Sequence, residues 1–146
     1  MFRKYRGMIT DFLHKDIPPR EIAFGVALGN FVGILPFLGF HTIIAMGLAY
    51  ILRLNILVVF LGTQISNPLS FPFIVFISAQ IGSLVMHGSL LDLKFTSDPG
   101  IIKKYIIPTI VGSVLLGLSV GTVAYFITLN FARRFRSSKN DLTTST

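Results

Sequence analysis

Three long stretches of the chain carry no formally charged residue. They cover residues 22–52, 54–91 and 105–131. Because a transmembrane helix needs about 20 largely apolar residues, each stretch is long enough to enter a bilayer. Charged residues make up only 13% of the sequence, whereas a typical soluble domain carries about 25%. The sequence therefore predicts an all-α integral membrane protein.

Most of the lysines and arginines lie at the ends of these stretches. Such clusters are typical of cytoplasmic flanks that face anionic headgroups, so we expect both termini in the cytoplasm. No separate basic domain remains that could bind nucleic acid. The chain contains no cysteine, which excludes disulfides and thiolate metal sites. The flanking cations are Arg3, Lys4, Arg6, Lys15 and Arg20 before the first stretch, and Arg133, Arg134, Arg136 and Lys139 after the last.

Charge and hydropathy divide the chain into three segments. Residues 1–20 form a basic leader, and residues 21–132 form the membrane domain. Residues 133–146 form a basic, polar tail that we expect to be disordered in the cytoplasm. In the leader, apolar residues at helical spacing predict an amphipathic helix on the membrane surface; a solvated basic segment is the alternative. These apolar residues are Phe2, Tyr5, Met8, Ile9, Phe12 and Leu13.

The first two stretches are each too long for one straight crossing. As single helices they would extend about 46 and 57 Å, whereas the hydrocarbon core is about 30 Å thick. Each also contains a break: Pro36 and Gly39 in LPFLGFHT, and Pro68 in TQISNPLSFPF. Proline removes an amide donor and clashes with the preceding turn, while glycine frees the backbone. The sequence therefore predicts two proline-broken helical hairpins and one conventional transmembrane helix at 105–131.

The number of crossings follows from the position of the termini. If both ends are cytoplasmic, the total is even, so the two broken stretches must together supply an odd number. One re-entrant hairpin and one crossing satisfy this condition, but the sequence does not say which stretch is which.

The second break contains a group of polar residues, which includes Gln64, Ser66, Asn67 and Ser70. Irregular backbone in hydrocarbon survives only against protein or enclosed water, because each unpaired group costs several kcal/mol. Asn67 followed by Pro68 predicts the start of a half-helix, whose amides and dipole could bind an anionic group. The alternative is an ordinary interfacial turn, with Gln64 and Ser66 bonded to a neighbouring helix.

Three further residues complete the candidate binding site. Asn30 and His41 could meet the polar group if the two breaks face one another, and a histidine inside a membrane segment is a functional candidate. Alternatively, His41 lies at headgroup level and bonds water. Arg53 is expected to anchor a turn at the headgroup layer, with anion recruitment as the alternative. We expect no metal site, cofactor or catalytic group, because a lone histidine lacks further ligands and no nucleophile has a recognisable base.

Glycines recur at four-residue spacing in two places. Gly25, Gly29 and Gly33 form one ridge, and Gly117 and Gly121, together with Ser113, form another. Since glycine weakens a helix by about 1 kcal/mol relative to alanine, such ridges indicate close helix packing. They favour a homo-oligomer or a membrane partner protein.

Residues 19–88 resemble a bacterial family, the domain of unknown function 2062. The resemblance rests on AFGVALGNFVGILPFLGFHT, on LAYILRLN and on Gln-Ile-Ser-Asn-Pro at 64–68, in that order. It implies a small multi-pass protein of the bacterial cytoplasmic (inner) membrane. In some relatives the domain is joined to a glycosyltransferase, which implies envelope glycan or lipid-linked sugar metabolism.

Two functions remain open from the sequence. The first is a transport-type protein that binds or moves an anionic headgroup or lipid-linked substrate, such as a polyprenyl phosphate, in envelope biogenesis. The second is a non-transporting adaptor that stabilises an envelope glycan or lipid enzyme through its glycine ridges. An enzyme is the third choice, because charged groups are so sparse.

Overall fold

The computed structural model describes residues 17–37, 39–91 and 101–143, with the side chains of the last helix described for 105–135. These residues form five helices and no strand, which confirms the predicted all-α class. The predicted amphipathic leader lies outside the described residues. The helices are α1 (Pro19–Ile34), α2 (His41–Ile51), α3 (Ile56–Thr63), α4 (Phe71–His87) and α5 (Ile101–Thr143).

One helix of the described chain is long and apolar enough to cross a membrane, the Tyr105–Phe135 part of α5. α2 and α4 are also apolar but shorter. α5 extends past both ends of the predicted span at 105–131, so Pro108 lies inside the helix and not in its first turn. Its C-terminal end at Thr143 lies within the segment predicted to be a disordered tail.

The first break separates α1 from α2 at residues 35–40. α1 ends at Ile34, and the next residue, Leu35, is extended with ψ 140°. A residue before proline is disfavoured in the helical region, so Pro36 explains this ending. Gly39 has φ +78°, a left-handed conformation that residues with a Cβ rarely adopt, and it leads the chain into α2.

A tight turn at residues 52–55 joins α2 to α3. The Arg53 amide donates to the Tyr50 carbonyl (3.2 Å), and the Leu54 amide donates to the Ala49 carbonyl (2.8 Å). This is the Schellman pattern, and Arg53 occupies its left-handed position with φ +56°. Asn55 then caps α3, since its Oδ1 accepts from the amides of Leu57 and Val58.

α1 and α3 pack in parallel through the first glycine ridge. A Cβ on Gly25 would lie 2.9 Å from Val58 Cγ1, and one on Gly33 would lie 3.3 Å from the Thr63 oxygen. Because the residue numbers of the contacting pairs increase together along both helices, the helices run in the same direction. The C-terminal ends of α1 and α3 therefore lie side by side. Next to this contact, Val32, Val59 and the α2 residues Ala45 and Ala49 form the buried apolar core.

α5 packs antiparallel to both α1 and α4, at successive levels. Gly117 contacts Phe31 of α1, whereas Gly112 contacts Ser78 of α4. A helix rises about 1.5 Å per residue, so the register places Ile34, the end of α1, at about the level of residue 114. The same register places Phe71, the start of α4, at about the level of residue 119. Both helix ends therefore lie beside the interior of α5.

The segment after α4 folds back onto that helix. The Gln80 side chain forms two hydrogen bonds with the Leu91 backbone: its Oε1 accepts from the amide (2.9 Å) and its Nε2 donates to the carbonyl (3.3 Å). Ser83 Oγ donates to the Ser89 carbonyl (2.9 Å). Gly88 makes this reversal possible, with φ +67° at the end of the helix.

Candidate functional site

The two breaks lie close together, and we call residues 35–40 and 64–70 the break region. Gly33 contacts Thr63 and Ile65, which lead into the second break, and the first break begins directly after Ile34. α2 runs away from the first break, and α3 runs back to the level of the C-terminal end of α1. The two helices run in opposite directions because a tight turn joins them and they pack on one another. Pro36, Gly39 and Pro68 therefore lie in one layer beside the interior of α5.

Asn67 and Ser70 organise the second break through hydrogen bonds to one another. Asn67 Oδ1 accepts from the amides of Leu69 (3.1 Å) and Ser70 (2.9 Å) in the turn that leads into α4. The helix itself begins three residues after Pro68, at Phe71, and has no side-chain cap. Ser70 Oγ accepts from the Asn67 amide and donates to the Ile65 carbonyl (2.7 Å). The expectation that an anion meets free amides here needs correction, because these amides already have partners within the chain.

Three polar side chains remain accessible in or beside this layer. Gln64 and Asn67 are exposed, and their carboxamide NH₂ groups make no hydrogen bond with the described residues. His41 is half-buried at the start of α2, and its Nδ1 lies 3.4 Å from the Phe37 carbonyl oxygen. When Nδ1 donates this bond, Nε2 is left for a second partner.

Other polar groups near this layer are buried without partners. Ser66 is 9% exposed and Ser78 is fully buried, and the hydroxyl of neither has a hydrogen-bond partner. Asn30 is 8% exposed, and its side chain makes no hydrogen bond with the described residues. Since buried polar groups are normally hydrogen-bonded, a water or polar ligand would satisfy the two serine hydroxyls.

Arg53 does not belong to the break region. It precedes α3, and the contact between Val58 and Gly25 places it at about the level of Arg20. Arg133 and Arg134 lie at the same end, because α5 runs antiparallel to α1 and both residues follow Gly121. We call this end, defined by the exposed Arg20, Arg53, Arg133 and Arg134, the cationic end.

The glycine ridges contact helices of the same chain. Gly25, Gly29 and Gly33 pack on α3, while Gly117 and Gly121 pack on α1. The predicted close packing is present, but both ridges are used inside the fold.

Sequence reasoning missed three further contact glycines. Gly62 faces Gly29, and Gly82 and Gly112 form the crossing of α4 with α5. For two of them the signal was a small residue four positions away, Ser66 after Gly62 and Ser78 before Gly82.

In the part of the chain that the structure describes, no three histidine, aspartate or glutamate side chains are grouped as metal ligands. The site therefore offers neutral amides, hydroxyls and one imidazole. Such groups can bind a phosphate or another anion through hydrogen bonds.

Comparison with known protein families gives a match over most of the sequence. Residues 3–141 match a family described as "Uncharacterized protein conserved in bacteria (DUF2062)". Curated proteins and solved structures give no significant match. Since the matched region covers nearly the whole chain, the protein belongs to this bacterial family, DUF2062.

Proposed function

We propose that the chain is a small multi-pass protein of the bacterial cytoplasmic membrane, of the transport type, that binds the anionic headgroup of a lipid or lipid-linked substrate at the break region. Large apolar side chains are exposed on every described helix; Leu69 in the second break is 81% exposed and Tyr50 is 78% exposed. Exposed apolar surface of this extent supports a lipid environment.

The helix registers support a specific topology. α1 and α2 would form a re-entrant hairpin that enters from the cationic end and returns to it. α3 and α4 would then cross the bilayer together, interrupted by the second break, and α5 would cross back. This arrangement has two full crossings and leaves α1's start and α5's end on one side, which the positive-inside rule assigns to the cytoplasm.

One observation carries the proposal: both breaks lie beside the interior of α5, the helix long enough to span a membrane, and buried polar groups without partners lie near them. Non-helical backbone at membrane depth is tolerated where it lines a cavity or packs on protein. The accessible carboxamide donors of Gln64 and Asn67, together with the N-terminal dipole of α4, would attract an anion.

The adaptor alternative receives less support from the glycine ridges than the sequence predicts. It depends on the glycine ridges, and these contact α1 and α3 of the same chain. Substitutions in the ridges would therefore report folding and not partner binding.

Thiol labelling tests the proposed site, because the natural chain has no cysteine to interfere. We expect Gln64→Cys, in full-length protein in vesicles, to react with a water-soluble maleimide, and added polyprenyl phosphate to slow this reaction at least fivefold. Arg53→Cys is the control at the cationic end, and its labelling should not change. Equal slowing at both positions, or none at position 64, would contradict the site.

The chemistry of Asn67 is tested with a matched pair of asparagine substitutions. Asn67→Asp keeps the oxygen that accepts from the Leu69 and Ser70 amides in the turn before α4 but replaces the NH₂ donor with a negative charge. We therefore expect polyprenyl phosphate to lose its protective effect at position 64. Asn55→Asp makes the same change at the cap of α3 and should leave protection intact. Protection that survives Asn67→Asp would exclude Asn67 as a donor.

A further inference from the structure

An apolar groove lies between α1 and α5, away from the break region's polar groups. Its volume is about 570 Å³, within the 300–1,000 Å³ range typical of ligand pockets. Phe24 and Phe31 form its α1 wall, and Leu118, Thr122 and Phe126 line its α5 wall. The Thr122 hydroxyl already donates to the Leu118 carbonyl (2.7 Å), so it adds little polarity.

The groove runs along both helices toward the cationic end. One end lies between Phe31 and Gly117, near the level of the break region, and the other lies between Phe24 and Phe126. Along α1 this distance is about 10 Å, at about 1.5 Å per residue. The groove is therefore a slot that is parallel to α5 and follows the direction a lipid tail takes in a bilayer.

Two arginines continue the walls of this groove. On α1, Arg20 is one helical turn before Phe24, and on α5, Arg133 is two turns after Phe126, in each case on the groove-facing side by helical spacing. Both side chains are exposed, and neither forms an ion pair with the described residues. An arginine binds phosphate oxygens well, and its long stem lets the charge reach a headgroup layer.

We propose that this groove binds one acyl chain of an anionic phospholipid, whose phosphate contacts Arg20 and Arg133. The charge of the two arginines matches the phosphate, and the apolar slot below them matches the chain. This site is separate from the break region, so the two proposed sites can be tested independently.

Native mass spectrometry of the full-length protein in detergent tests the phosphate contact. We expect phosphatidylglycerol to bind more tightly than phosphatidylcholine, and Arg20→Gln with Arg133→Gln to lower phosphatidylglycerol binding at least fivefold. Arg53→Gln removes a charge from the same end but not from the groove, and binding should not change. An equal loss with Arg53→Gln would show a nonspecific charge effect and overturn the proposal.

A bulky side chain tests the groove itself. Thr122→Trp should fill the slot and lower the binding of both lipids at least fivefold. Val123→Trp is the matched control, since Val123 is adjacent, exposed and outside the groove. Unchanged binding with Thr122→Trp would overturn the acyl-chain site, and this result does not depend on the arginines.

Two other occupants would also overturn the proposal, and each has its own signature. If Thr122→Trp abolishes a dimer in the same spectra, the groove holds a second copy of the chain. If Phe12→Cys and Thr122→Cys form a disulfide in one chain, the groove holds the N-terminal leader. Lipid adducts on a monomer, without that disulfide, support the proposed site.

Discussion

Gly62 faces Gly29 where α3 crosses α1, and a Cβ on either glycine would fall within 3.1 Å of the other's Cα. The backbones approach this closely because neither residue has a side chain. The contact fixes the end of α3 beside the end of α1. It therefore places the second break next to the first, and the geometry of the candidate site depends on it.

We expect Gly29→Ala and Gly62→Ala each to lower the free energy of unfolding by about 1–3 kcal/mol, the usual cost of overpacking. The added methyl would meet backbone atoms of the facing helix, which cannot turn away. Thermal unfolding in detergent, followed by helical circular dichroism, measures the change. Gly47→Ala is the control: it has no atom within 4 Å of the new Cβ, and helix propensity should raise stability by about 1 kcal/mol. Equal effects at positions 29 and 47 would contradict this packing.

An added methyl group should destabilise the crossing of α4 with α5 more than the crossing of α1 with α5. A Cβ on Gly112 would overlap the Ser78 carbonyl oxygen and lie 2.7 Å from the Gly82 amide nitrogen, whereas one on Gly117 would lie 3.0 Å from Phe31 Cδ2. A phenyl ring can rotate and a helix backbone cannot. We expect Gly112→Ala to lower the unfolding temperature in detergent more than Gly117→Ala does. The reverse order would show that the two crossings are misassigned.

Arg53 occupies a left-handed position that favours glycine. We expect Arg53→Gly to raise the free energy of unfolding by about 1 kcal/mol, because it relieves the Cβ contact at this conformation. Arg53→Gln keeps the Cβ and removes the charge, so it should leave stability within about 0.5 kcal/mol. If both variants changed the free energy of unfolding equally, the lost charge and not the backbone conformation would explain the effect.

The turn that leads into α4 depends on one oxygen atom, Asn67 Oδ1. Asn67→Ala removes the acceptor used by the Leu69 and Ser70 amides, and we expect a loss of about 0.5–2 kcal/mol of stability. Asn67→Asp keeps the acceptor and should remain within about 0.5 kcal/mol of the natural protein. Chemical unfolding in mixed micelles provides the comparison. If aspartate were as damaging as alanine, the oxygen would not be the stabilising atom.

The proposed topology places Arg53 and Ser89 on opposite sides of the membrane. In right-side-out vesicles, an impermeant maleimide should label Ser89→Cys, and Arg53→Cys should react only after the vesicles are opened. Both positions flank the α3–α4 pair, so they report directly whether this pair crosses. Labelling of both from the same side would exclude the crossing and with it the re-entrant assignment of α1 and α2.

The helix ends could be predicted from local sequence, because proline acts on its own turn. Pro36 and Pro68 mark the two breaks, and the apolar stretch after Tyr105 marks the long helix. Which ends meet could not be predicted, since this depends on contacts between distant small residues such as Ser78 and Gly112. The hydrogen bonds that occupy the amides of the second break could not be predicted either. They depend on the shape of the turn, which determines what the Asn67 side chain can reach.

The successive packing of α1 and α4 along α5 has a consequence for biogenesis. The ribosome makes α5 after both of these helices, and α4 has few other contacts in the described fold. Until α5 emerges, the close-packing face of α4 at Ser78 and Gly82 has no partner. Docking of α4 into the fold must therefore wait until α5 has been made.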